Sequence, residues 1–250
     1  MSELTRIGLL GGMSWESTTS YYRLLNQFVS AEVGGHASAP VTIWSADFAE
    51  IERLQRAGDW DAQGRILHNA ALSLQQSGVE LIALATNTLH LVADQITAGL
   101  SVPFLDLIDL VGQAAAAAGH TRVGLLATAY TMNSDLYRSR LQRYGVEVIV
   151  PDEDDRELVH SVIYGQLVHG IVDPGSKADY LAVVSRLADS GAQAVVLGCT
   201  EIALLISDGD ATVPLIDTTR LHCQALSDII INGVHDGADS ARREEGAISA

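Results

Sequence analysis

The chain repeats itself. Thr5-Arg6-Ile7-Gly8-Leu9-Leu10 returns as Thr121-Arg122-Val123-Gly124-Leu125-Leu126, with five of the six residues identical. Ser77-Gly78 and the run 79–88 return as Ser190-Gly191 and the run 192–201. Val102-Pro103-Phe104-Leu105-Asp106 returns as Val213-Pro214-Leu215-Ile216-Asp217. Three segments recurring in one order, with the spacing drifting by a few loop residues, indicate a duplicated structural unit. Two such units can face each other across a cleft about a pseudo-twofold axis. In this register Thr86 is the counterpart of Cys199, so two different proton-handling groups would stand on opposite walls.

Within each repeat, short β-branched or Leu-rich runs alternate with longer amphipathic stretches, the pattern of a parallel sheet with crossover helices. Strands are expected at 6–10, 41–46, 81–85 and 103–105, then at 122–127, 147–150, 194–197 and 214–216. Helices are expected at 16–31, 61–77, 107–118, 134–144, 156–169, 177–190 and 219–232. The fold class is therefore α/β, with two pseudo-symmetric lobes. Each is a four-stranded, mainly parallel sheet flanked by helices, and an active-site cleft lies between them. Residues 1–112 plus 218–232 are assigned to the first lobe and 113–217 to the second, with Gly119-His120 as the expected link between repeats. The tail 233–250 lacks apolar periodicity and is expected to be disordered.

A formal charge of −16 over 250 residues leaves no basic stripe to meet phosphate, which argues against nucleic acid and anionic membrane surfaces. The longest apolar runs are too short to span a bilayer. The start, Met1-Ser2-Glu3-Leu4-Thr5-Arg6, lacks a signal-peptide core, so a soluble cytoplasmic protein is expected. The two cysteines, Cys199 and Cys223, do not suggest a disulfide framework. No Cys/His cluster has zinc-ligand spacing, so no metal is expected. Gly8-Leu9-Leu10-Gly11-Gly12 departs from the Gly-x-Gly-x-x-Gly spacing, and no nicotinamide or flavin cofactor is expected.

Ligands of parallel α/β sheets bind beyond the carboxyl ends of the strands. Four such ends carry small or polar residues: Gly11-Gly12-Met13-Ser14, Thr86-Asn87-Thr88, Thr128-Ala129-Tyr130-Thr131 and Gly198-Cys199-Thr200-Glu201. Each is read as leading into a helix whose first N–H groups attract anions. Singly, Asn and Thr at such points are ordinary helix caps; their coincidence in both halves favours a site. Cys199 is the strongest single residue, because a thiol just before a helix N-terminus should have its pKa lowered. Glu201 either tunes that thiol or is a favourable charge in a first helical turn. His90 reaches the site or satisfies a backbone carbonyl, His222 is a further candidate on the last helix, and Cys223 is read as structural.

Gly8-Leu9-Leu10-Gly11-Gly12-Met13-Ser14-Trp15-Glu16-Ser17-Thr18, Tyr21-Tyr22, Thr86-Asn87-Thr88-Leu89-His90 and Gly198-Cys199-Thr200-Glu201-Ile202 together resemble the aspartate/glutamate racemase family. The likeness covers about residues 5–232 and is nearest to a bacterial branch acting on L-aspartate and L-glutamate. What the resemblance implies is cofactor-independent racemisation of a small, dicarboxylic amino acid by a homodimer. The commoner family pattern places two cysteines about the substrate α-carbon. Thr86 stands where the first would be, and the branch with a threonine–cysteine pair is similar in this respect. By the resemblance Cys199 and Thr86 are catalytic. Met13, Ser14, Asn87, Thr88, Thr128, Thr131, Thr200 and Glu201 would surround the substrate. Some archaeal relatives hold the side-chain carboxylate with a lysine, and the register puts Val168 at that position. A single-cysteine enzyme similar to arylmalonate decarboxylase and a non-catalytic amino-acid binder are the alternative readings.

Overall fold

The computed structural model describes residues 3–234. The first half runs β1 (Ile7–Gly11), α1 (Trp15–Val33), β2 (Val41–Ser45), α2 (Phe48–Arg56), α3 (Trp60–Gln76), β3 (Leu81–Leu84), α4 (Ala93–Thr97), β4 (Phe104–Leu105) and α5 (Leu107–Ala117). The second runs β5 (Arg122–Leu126), α6 (Ala129–Met132), α7 (Leu136–Gln142), β6 (Glu147–Ile149), α8 (Glu153–Gly165), α9 (Pro174–Asp189), β7 (Ala194–Leu197), β8 (Leu215–Asp217) and α10 (Thr218–Asn232). The sheets have the orders β2-β1-β3-β4 and β6-β5-β7-β8, and every pairing in both is parallel. The sequence repeat is thus a repeat of topology.

The inner strands β1, β3 and β7 are buried at every residue, as the near-continuous apolar runs of a strand covered on both faces require. Edge strand β2 has only intermediate and exposed positions. Gly8 and its counterpart Gly124 mark one packing solution used twice. A Cβ at Gly8 would stand 3.2 Å from Leu74 of α3, and one at Gly124 would stand 3.0 Å from Leu187 of α9. In both lobes a crossover helix lies directly on the bare backbone of the second strand in the sheet.

The repeated Asp106 and Asp217 explain how the lobes are joined. Each ends a sheet-edge strand and caps the next helix, Asp106 by accepting from Ile108 and Asp109 N–H and Asp217 by accepting from Arg220 N–H. Caps of this kind stabilise a helix start by about 1 kcal/mol. Both capped helices leave their own sheet. Leu107, Ile108, Val111 and Ala115 of α5 belong to the core around β5 and β7. Cys223, Leu226 and Ile230 of α10 pack with Tyr21, Leu25 and Val29 of α1 on the first sheet. The chain therefore passes to the second core from Leu107 onward, so residues 107–112, assigned above to the first lobe, contribute to the second.

Two further differences from the sequence expectations have clear causes. Helix α2 was not anticipated; Asp47 caps it immediately after β2, and four of its nine residues are charged. The strand ends after β3 and β7 open into 3₁₀ turns, at Thr88–Val92 and Ile202–Leu204, with no side-chain cap. The expected disordered tail lies, from residue 235 on, outside the described residues. Among the described residues no helix is long and apolar enough to cross a membrane.

Candidate active site

The carboxyl ends of β1, β3, β5 and β7 converge on one narrow chamber, with a cavity volume of about 30 Å³. Of the residues picked out by sequence, Met13, Thr86, Asn87, Thr88, Thr128, Cys199, Thr200 and Glu201 line it. Thr86 and Cys199 thus border a common space. A larger hollow at the other end of the second sheet, around Arg122, Arg138 and Glu147, contains none of these residues.

Ser14 and Thr131 stand outside the chamber lining and brace it. Ser14 caps α1 and donates from Oγ to Glu201 Oε1 at 2.6 Å across the lobe boundary. Thr131 is fully buried, its hydroxyl 2.9 Å from Thr88 Oγ1 and 3.2 Å from Thr128 Oγ1. Thr88 and Thr128 are themselves 3.1 Å apart. The pseudo-symmetry thus extends to the braces. A capping residue after the first strand of each sheet reaches the turn after the inner strand of the other.

Cys199 Sγ donates to Glu201 Oε2 at 3.0 Å, and Thr200 Oγ1 donates to the same oxygen at 2.7 Å. Burial and then the Glu201 charge raise the thiol pKa well above its ordinary value, with the Glu201 backbone N–H acting the other way. This corrects the lowered pKa expected from the sequence. That expectation relied on a helix dipole, but the following segment is a three-residue 3₁₀ turn. The carboxylate two residues along outweighs it. The resting cysteine is a thiol that donates its hydrogen bond to a carboxylate.

Thr86 is held through its backbone, because His90 Nδ1 lies 2.8 Å from the Thr86 carbonyl. The other ring nitrogen, Nε2, accepts from Leu107 N–H at 3.2 Å at the start of α5. These partners require a neutral imidazole with its proton on Nδ1, and burial lowers the His90 pKa accordingly. His90 therefore positions Thr86 and ties it to the exchanged helix. Asn87 is committed too, with Oδ1 accepting from Tyr137 at 2.6 Å and Nδ2 donating to Thr218 Oγ1 at 3.2 Å. His222 is fully buried beside Tyr21, whose hydroxyl is 3.0 Å from Nδ1. Its Nε2 lies near the Leu105 backbone without meeting hydrogen-bond geometry. Neither it nor His90 is among the chamber-lining residues.

Apart from Val168, the outer wall comes from residues that the sequence did not single out. Phe48 and Gln55 of α2 meet Ile163 and Tyr164 of α8, with Val168 just beyond. The Phe48 and Tyr164 rings stack with centroids 6.4 Å apart, and the Tyr164 hydroxyl donates to Gln55 Oε1 at 3.0 Å. Both contacts join the lobes over the chamber. Among the described residues lining it there is no Lys or Arg, and the acidic one is Glu201. Val168 indeed reaches the chamber, so the cation that would match a dicarboxylic substrate is missing at that point.

Comparison with known proteins agrees with this fold. A structure from Yersinia pestis, described as a candidate Asp/Glu racemase, superimposes with a TM-score of 0.84 at 45% identity, covering 92% of this chain and all of that one. An aspartate racemase homologue from Pyrococcus horikoshii OT3 superimposes with a TM-score of 0.79 at 32% identity and the same coverage. Among curated proteins, the broad specificity amino-acid racemase RacX of Bacillus subtilis (strain 168) is 25% identical over 229 residues, which is 89% of this chain and 96% of RacX. The family model described as Asp/Glu/Hydantoin racemase matches residues 10–226, and the chain belongs to that family.

Proposed function

We propose that this protein interconverts the enantiomers of a free α-amino acid by moving a proton at Cα between Cys199 on one wall and Thr86 on the other. The observation that carries the reading is that both residues line one chamber, with a proton acceptor for the thiol in contact. To act as base, Cys199 passes its proton from Sγ to Glu201 Oε2 and the thiolate then takes the Cα proton. Thr86 gives its hydroxyl proton to the opposite face of the carbanion and is reprotonated through solvent as Glu201 gives up the proton it took. In the other direction the thiol is already poised as the acid, but a hydroxyl is a weak base near neutral pH. Exchange is therefore faster from one enantiomer than from the other.

The reaction is proposed to be independent of pyridoxal phosphate. That cofactor is held through a lysine amine, and the sequence contains a single lysine, Lys177. Its Nζ is 2.8 Å from Asp210 Oδ1, and it is absent from the chamber lining. The electrostatic stabilisation of the carbanion, the largest contribution expected at such a site, falls to the donors around the substrate carboxylate. By the family resemblance the carboxylate sits among Asn87, Thr88 and Thr200, where the second Asn87 Nδ2–H and the adjoining backbone N–H groups are the donors, since the Thr200 hydroxyl donates to Glu201. The homodimer and the cytoplasmic location implied earlier remain part of the proposal.

The test is solvent exchange at Cα. Wild-type protein in deuterated water should incorporate deuterium into at least one amino acid, and Cys199→Ser should reduce this by at least about a thousandfold for both enantiomers, the order expected for loss of an acid–base group. Exchange that survives the substitution, or release of carbon dioxide from substituted malonates in its place, would refute the assignment.

A further inference from the structure

A second hollow adjoins the chamber and shares three lining residues with it, Phe48, Tyr164 and Val168, which stand at the neck between the two. Beyond the neck the walls are aromatic. Tyr130 meets Tyr164 edge-on at 6.4 Å and His160 at 5.6 Å, and Trp60 backs Tyr130 at 6.0 Å. His160 is uncharged, since its Nδ1 accepts from Ala129 N–H at 3.2 Å and burial lowers its pKa. The fixed charges lining the hollow are Glu52 and Arg56, one turn apart on α2 and paired with each other.

These walls suit one class of side chain. A second carboxylate entering the neck would leave water and meet the negative faces of aromatic rings, and its nearest cation is already paired. An aromatic or long aliphatic group would bury apolar surface against Phe48, Tyr164 and Val168, at roughly 25 cal/mol per Å². A ring could in addition stack with Phe48 or Tyr164.

We infer that the substrate side chain passes through the Phe48–Tyr164–Val168 neck into the aromatic hollow, and that the substrates are amino acids with uncharged apolar or aromatic side chains. This rests on the chamber being the Cα proton-exchange site proposed above. The dicarboxylic preference implied by the resemblance is replaced by this class.

The test uses two readouts on the full-length protein. The first is deuterium uptake at Cα from L-phenylalanine, L-methionine, L-leucine, L-aspartate and L-glutamate. The second is binding of the same five measured by calorimetry, which does not depend on turnover. The apolar three should exceed both acids by at least about tenfold in exchange and in affinity, the scale expected of one buried group. Val168→Lys should reverse the order in favour of the acids, and Phe48→Ala should lower kcat/KM for phenylalanine about tenfold more than it lowers that for aspartate. Stronger binding or faster exchange of aspartate or glutamate by wild-type protein overturns the inference, whatever the variants do. Apolar binding without exchange of any substrate overturns the racemase reading and leaves the side-chain class standing.

Discussion

Replacing Glu201 by glutamine removes the charge that holds the Cys199 thiol while keeping the shape of the side chain. The carboxylate accepts three hydrogen bonds, from Ser14 at 2.6 Å, Thr200 at 2.7 Å and Cys199 at 3.0 Å. A glutamine amide can still accept from Ser14, but its NH₂ then faces two groups that were donating. Thr200 and Cys199 can turn to accept, so the loss is close to one charge-assisted bond, about 2–3 kcal/mol. For a protein of this size that corresponds to a melting temperature lower by roughly 4–12 °C. The same substitution removes the charge that helps raise the thiol pKa, leaving burial opposed by the backbone N–H of residue 201. Alkylation of Cys199 by iodoacetamide, followed against pH by mass spectrometry, should therefore reach half-maximal rate at lower pH in Glu201→Gln than in wild type. Cys223 is fully buried in the first-lobe core and should stay unlabelled in the folded protein. An unchanged alkylation profile with an unchanged melting temperature would refute the view that Glu201 holds the thiol.

Thr86→Cys should make deuterium exchange from the two enantiomers more nearly equal, as the second wall gains a group that can act as a base; unchanged asymmetry counts against the Thr86 assignment. The stability of the protein should fall as pH drops below about 6.5. Burial holds the folded-state pKa of His222 at about 3, so the unfolded chain takes up a proton that the native state refuses. Below pH 3 the accumulated loss from this residue is on the order of 5 kcal/mol. Denaturant midpoints from pH 7 to pH 4 should decline, and less steeply in His222→Gln, which keeps an acceptor for Tyr21; equal slopes would remove His222 from the account. Gly124→Ala should cost about 1–3 kcal/mol through crowding of Leu187 and Val195, at 3.0 and 3.1 Å from the new methyl group. A melting temperature within a degree of wild type would show that α9 shifts freely.

The sheets were legible in the sequence because buried parallel strands leave unbroken apolar runs, and the repeat made each half a check on the other. That Thr86 and Cys199 border one space was legible for the same reason, since matching strand ends of the two repeats meet at the lobe boundary. The ionisation of Cys199 was not. It depends on Glu201 turning back onto the thiol and on the shortness of the turn after β7, both outcomes of tertiary packing. Phe48, Gln55 and Tyr164 escaped notice because each looks like an ordinary helical residue in its own segment. Only the approach of α2 to α8 turns them into a wall. The charged run of α2 just after β2 was a signal that could have indicated a helix, and with it Phe48 at the helix start.

The exchange of α5 and α10 bears on how such a molecule could have begun. A half-length chain ending after α5 would carry an apolar helix with no sheet of its own to cover, and would leave its own sheet bare where α10 belongs. Two identical halves lending helices to each other would satisfy both, with the pocket at their junction necessarily symmetric. Once the halves share a single polypeptide, that constraint is gone. Each rim of the pocket can then vary without altering the other, which is the freedom needed for a hydroxyl to face a thiol.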